Sequence, residues 1–150
     1  MTKIFVDADA CPVKKEIKKL ADRFNVHAHF IASYAHMSEK NDCLGQWTYV
    51  DTEQESVDMH IINHTSKKDI VITHDIGLAC VLLAKNVIVL APTGKEYRSE
   101  TMDTALFLRF VSAKERRSGR HLKGPNRFTN KDRYHFIKSF EKILSKYAGK

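Results

Sequence analysis

Ile4-Phe5-Val6-Asp7-Ala8-Asp9-Ala10-Cys11-Pro12 decides how the rest of the chain is read. A short apolar run of β type stops on two carboxylates at i and i+2, and a proline then opens a helix-like pattern. In open α/β sheets, ligands gather where strands end and loops rise. If the backbone stays extended, Asp7 and Asp9 lie on one side of it. Two acids so close repel and shift each other's pKa unless a cation or a proton lies between them. The pattern therefore points to a metal site. A competing reading makes Asp9 the cap of the following helix, with Pro12 near its first turn; it leaves Asp7 without a role.

Working outward, strand one covers Lys3 to Asp7. Val13, Ile17, Leu20, Ala21 and Phe24 then form a helical stripe set among Lys14, Lys15, Lys18 and Lys19, and Asn25 stops it. His27 to Ala32 reads as strand two, the polar stretch from Ser33 to Gln46 as loop, and Trp47 to Val50 as a short third strand. A helix beginning at Thr52 or Glu53 carries Val57 and Ile61 inward and ends near Thr65-Ser66. Asp69 to Thr73 is strand four, Ile76 to Lys85 a short buried helix, and Val87 to Ala91 strand five. Strands alternating with helices imply an α/β fold, a parallel sheet covered on both faces. After Pro92-Thr93-Gly94 the character changes. Met102 to Ala113 reads as helix, and Lys114 to Asn130 as a charged segment with Gly and Pro. A last helix carries Phe136, Phe140, Ile143, Leu144 and Tyr147 and is expected to pack back onto the sheet.

The 150 residues suit one domain with a real core. Hydrophobic content of 43% and charged content of 29% are those of a soluble globular protein. No stretch reads as a signal peptide or is apolar for long enough to span a membrane. Three scattered cysteines, Cys11, Cys43 and Cys80, give neither a disulfide framework nor CxxC spacing, which favours a reducing cytoplasm. The net charge of +7 is unevenly placed: residues 1–93 carry −2 and residues 94–150 carry +9. A basic segment behind clustered acids suits a polyanion binder with a cation site, against the plainer reading of a solvated basic surface.

Ile70-Val71-Ile72-Thr73-His74-Asp75-Ile76-Gly77 repeats the design of the opening stretch, an apolar strand ending on a polar residue, then an acid, then a helix. If strands one and four are neighbours, Asp7, Asp9 and Asp75 converge at one edge, and Thr73 offers a hydroxyl there. Asp75 also reads as a helix cap. Asp58, among Val57 and Ile61, is a costly residue near a buried helical face unless paired or metal-bound. Carboxylates without cysteine suit Mg²⁺ or Mn²⁺, ions able to activate water and neutralise phosphate. His60 and His64 share a helical face but stand outside any HExxH pattern. Cys11, near a helix start, reads as a packing residue. Arg116, Arg117, Arg120, Lys123 and Arg127 concentrate donors for phosphate oxygens. Phe128 and Tyr134 fit base stacking or, preferably, the core.

Several of these stretches resemble the bacterial YaiI/YqxD-like family, whose fold looks like that of the PIN-like nucleases. The matching pieces run from Asp7 through Lys14, Val57 through Ile61 and Asp69 through Ala79, then Gly124-Pro125, Phe128 and Asp132-Arg133. The resemblance implies a three-layer α/β/α fold around a five-stranded parallel sheet of order 3-2-1-4-5, with C-terminal helices. It also implies Asp7, Asp58 and Asp75 as metal-binding catalytic acids, Asp9 as a further acid of the family's own motif, and metal-dependent cutting of RNA. The stretch Ile76 to Thr93 holds no further acid, a departure from the PIN-like pattern for which Asp9 is the available substitute. Two other readings remain. One is an aspartyl-nucleophile phosphatase built on Asp7 and Asp9, although Cys11 and Pro12 stand where that signature wants other residues. The other is an RNA- or ribosome-associated binding module with a degenerate acidic site. If the basic segment guides RNA, replacing Arg116, Arg117 and Arg120 together weakens RNA binding and flattens its salt dependence in filter-binding titrations; unchanged affinity removes that segment from the interface.

Overall fold

The computed structural model describes residues 2–9, 11–36, 45–100, 102 and 127–147. In chain order these give β1 (Ile4–Asp7), α1 (Lys14–Arg23), β2 (Ala28–Ser33), β3 (Gln46–Val50), α2 (Val57–His64), β4 (Ile70–Ile72), α3 (Ile76–Ala84), β5 (Ile88–Leu90), β6 (Glu96–Tyr97) and α4 (Asn130–Tyr147). The expected helix from Met102 to Ala113 lies outside the described residues except for Met102. So do Arg116, Arg117, Arg120 and Lys123.

Apolar runs bounded by Gly, Asn and Asp become strands, and they assemble into one six-stranded sheet of order β3-β2-β1-β4-β5-β6. The first five are parallel, as alternation with helices demands. β6 is the addition. Ala91 N–H donates to Lys95 O and Gly94 N–H to Ala91 O, so the chain doubles back after β5 and pairs antiparallel to it. Gly94 has φ +94°, and a Cβ there would meet His135 Nδ1 at 2.7 Å; only glycine allows this turn to lie against α4.

Residues alternate between the two faces. Ile4, Val6, Phe30, Ile70 and Ile72 join Ile17, Leu20, Phe136, Phe140 and Leu144 in one core, under α1 and α4. Phe5, Ile31, Val71 and Val89 join Val57, Ile61, Leu78 and Leu82 in the other, under α2 and α3. The result is a three-layer α/β/α arrangement. Two ion pairs, Arg133–Glu16 at 2.9 Å and Arg23–Glu141 at 3.0 Å, join α4 to α1, so the last helix does pack back on the sheet.

α2 starts later than its composition suggests. Asp51 Oδ1 accepts the Glu53 N–H, and Asp51 O accepts those of Gln54 and Glu55, closing a turn where the helix was expected. Ser56 is the true cap, its Oγ accepting the Met59 N–H at 3.1 Å. Among the described residues, no helix is long and apolar enough to cross a membrane.

Because Phe140 is fully buried between α4 and the sheet, Phe140→Ala is expected to cost about 3–5 kcal/mol in denaturant unfolding. A cost within the noise would mean that α4 is only loosely attached.

Candidate functional site

β1 sits centrally, with β2 and β3 on one side and β4 and β5 on the other. The chain leaves β1 in one direction and returns on its other flank, so the crevice beyond the carboxyl ends of β1 and β4 is the topological switch point. Parallel register pairs Val6 with Ile72, which brings the next residues, Asp7 and Thr73, together.

Thr73 is 1% exposed. Its hydroxyl accepts the Asp75 N–H at 3.0 Å and donates to Asp7 Oδ2 at 2.9 Å. Since the amide can only donate, the direction of the hydroxyl proton is decided: it goes to the carboxylate. Asp75 Oδ1 accepts the Leu78 N–H at 3.1 Å, capping α3, so the capping reading of Asp75 holds and the residue reaches the edge as well. Asp9 behaves differently from its capping reading. The N-cap of α1 is Val13, with no side-chain hydrogen bond. Asp9 Oδ1 instead accepts the Ser33 N–H at 2.9 Å and the Ser33 hydroxyl at 3.4 Å, reaching across to the end of β2.

Asp7 has its carboxyl pKa raised from the ordinary 3.8, chiefly by burial and then by the negative charges of Asp9 and Asp75; the Thr73 hydrogen bond and the charge of His74 pull the other way. The three acids therefore share one electrostatic field at the switch point. Asp58 is in the first turn of α2. That helix shares its layer with α3, and Asp58 is not among the charges that act on Asp7.

Among the described residues, no three His, Cys, Asp or Glu side chains stand close enough to grip one ion. A ready-made cage of the structural-zinc kind is therefore absent from them. The donor set is nonetheless the one Mg²⁺ and Mn²⁺ take: oxygen only, with one or two carboxylates and the remaining positions left to water and phosphate. On its chemistry the site fits such an ion.

Other sequence expectations resolve individually. Cys11 is buried and its thiol is pushed up to about 11 by that burial, so it packs rather than reacts. His60 and His64 stack at 3.9 Å, and His60 Nδ1 lies 2.7 Å from Glu55 Oε1 on the helix flank. Phe128 packs on the core beneath Arg133, whereas Tyr134, for which a core position was preferred, is 62% exposed. Arg127 is exposed. Two neighbours of the acids were not foreseen. Ser33 anchors Asp9, and counting register from Asp7 to Ile31 would have pointed to it. Tyr97, on the unexpected β6, is buried near Asp75, and its phenol is pushed up first by burial and then by that acid; a two-residue strand leaves no such signal.

Comparison with known proteins adds a family. The profile of the family described as "Uncharacterized BCR, YaiI/YqxD family" matches residues 5–146. A "UPF0178 protein" of Bacillus cytotoxicus is 52% identical over 149 residues, covering 99% of this chain and 97% of the other. One from Halalkalibacterium halodurans is 45% identical over 149 residues, covering 97% of this chain and 92% of the other. One from Listeria innocua is 47% identical over 137 residues, covering 91% and 92%. No solved structure matches.

The raised pKa of Asp7 has a consequence for stability. The folded protein holds that proton more tightly than the unfolded chain, so the stability linked to it is complete below about pH 3.8 and is lost as pH rises through the folded pKa. Asp7→Asn removes the buried, crowded charge. At pH 7 it is expected to melt at a higher temperature than the wild type, and the difference should shrink as the pH falls through the raised folded pKa toward 3.8 and be gone below that. A lower melting temperature at pH 7 would show that the carboxylate is a stabilising partner instead.

Proposed function

The chain belongs to the YaiI/YqxD family, and from that premise we propose that it is a metal-dependent phosphodiesterase acting on RNA, with Mg²⁺ or Mn²⁺ as the resident ion. The observation that carries this reading is the crowding of Asp9 and Asp75 around half-buried Asp7 at the switch point. Like charges gathered in a partly desolvated crevice are costly unless a cation compensates them.

In this reading Asp7 and Asp75 hold the ion and Asp9 and Asp58 complete the acidic edge. Thr73 is a positioning residue. Its hydroxyl holds Asp7 Oδ2, while Asp7 Oδ1 makes no hydrogen bond among the described residues. The Asp75 carboxylate is oriented twice over, by its own backbone N–H on Thr73 and by its cap on Leu78. When bound, such an ion supplies neutralising charge to a phosphate and lowers the pKa of a water. The side chains and amides around it keep the acids oriented. The net +9 of residues 94–150 supplies attraction for a polyanion. That same charge supports the second reading, an RNA-binding module whose acidic edge does no chemistry.

Calorimetric titration with Mn²⁺ of the wild type and of the Asp7→Asn/Asp75→Asn double variant, with RNA cleavage assayed on the same samples, separates the two. Asparagine still caps α3, so the variant retains its fold. Binding heat and metal-dependent cutting in the wild type, both lost in the variant, are expected. RNA affinity equal in both proteins, without Mn²⁺ heat or cutting, would overturn the enzyme and leave the binding module.

A further inference from the structure

Beside the acidic edge lies a ladder of aromatic rings. Phe30 stacks on Trp47 (centroids 5.0 Å apart, 13° between planes), Trp47 on Tyr49 (5.7 Å, 18°) and Tyr49 on Tyr34 (6.2 Å, 28°). The sheet explains the alignment. Phe30 pairs with Trp47 and Ala32 with Tyr49, so alternate residues of β2 and β3 share one face and the rings climb toward the carboxyl edge. Tyr34 follows Ser33, the residue anchored by Asp9, so the ladder ends next to the acids.

Its two ends differ. Phe30 is fully buried and Tyr34 is 58% exposed. β3 is the last strand of the sheet on that side. Among the described residues Trp47 Nε1 is buried without a hydrogen-bond partner, and ring contacts hold the indole. A cation flanks the row: Lys14 Nζ lies 5.6 Å from the Trp47 ring centroid. Lys14 also lines a cleft of about 330 Å³ between α1 and α4, with Cys11, Pro12, Lys15, Glu16 and Arg133. A tilted stack of aromatics with one open face, edged by a lysine, offers π-surface for bases and positive charge for the phosphates between them.

We infer that this ladder is a stacking platform for single-stranded RNA: an unpaired base lies on the exposed face of Tyr34, and the adjoining phosphates meet Lys14 and Lys15. A duplex is refused because its bases are already stacked and their faces are not available. The inference deepens the proposed function by naming the state of the strand, and it rests on that reading for the strand's being a substrate. The base on Tyr34 is one residue from the Asp9 anchor, so the platform hands the following phosphate to the acidic edge.

The chain holds a single tryptophan, and it is a rung of the ladder, which supplies the assay. Quenching of Trp47 fluorescence is titrated with oligoadenylate, alone or annealed to oligouridylate, in EDTA so that no metal contributes. The free strand is expected to quench and the annealed one to bind more weakly. Tyr34→Ala should weaken free-strand binding about tenfold while Tyr34→Phe retains it. Lys14→Ala should reduce the slope of log affinity against log salt by about one. Tyr34→Ala binding as tightly as the wild type, or equal affinity for the free and annealed strands, overturns the platform. The Asp7→Asn/Asp75→Asn variant keeps the readings independent. Single-strand binding retained there, without Mn²⁺ binding by the wild type, supports the platform and removes the nuclease. Metal-dependent cutting that persists in Tyr34→Ala with unchanged affinity removes the platform alone.

Discussion

One buried hydroxyl ties the acidic edge of this protein together. Thr73 Oγ1 takes the Asp75 N–H and gives its own proton to Asp7 Oδ2, so the ends of β1 and β4 are locked in register by a side chain as well as by the backbone. A group with two opposite hydrogen bonds in a low-dielectric site has little freedom left. Its neighbours inherit that rigidity. Asp7 is held at the mouth of the crevice, and Asp75 is kept where it caps α3 and faces Asp7 across the switch point.

That lock works against the electrostatics of the same edge. Burial and two neighbouring carboxylates make ionised Asp7 unfavourable. The fold tolerates this because the strands beneath are packed on both faces, with Ile4, Val6, Ile70 and Ile72 on one side and Phe5 and Val71 on the other. A strongly stabilised sheet carrying a destabilised polar rim is the arrangement found where function rather than stability selects the residues. The aromatic ladder along β2 and β3 extends the rim outward, so acids and rings approach one another from adjoining strand ends.

Much of this was legible because it rests on local periodicity. Strands one, two, four and five and the helices bearing Ile17, Leu82 and Phe140 announce themselves through apolar spacing, and their boundaries fall within a residue or two of expectation. The exceptions have local causes. Asp51 takes the Glu53 amide on its side chain and those of Gln54 and Glu55 on its backbone carbonyl and so delays α2, a local turn that composition alone does not rank. β6 is two residues long and exists because Gly94 can turn against His135, a contact between positions far apart in the chain.

For the site, the sequence by itself determined that Asp7 ends a strand and that Asp75 stands between a strand and a helix, because an apolar run that gives way to an acid before a helix can be recognised without knowing its neighbours. It did not determine what each acid does there. Asp9 had the spacing of a helix cap yet anchors Ser33, and the rings of Phe30, Trp47, Tyr49 and Tyr34, spread over two strands and a loop in the sequence, meet only because β2 and β3 pair. Tertiary structure alone decided these, because strand register sets which side chains meet, and register is a relation between segments that no single stretch contains.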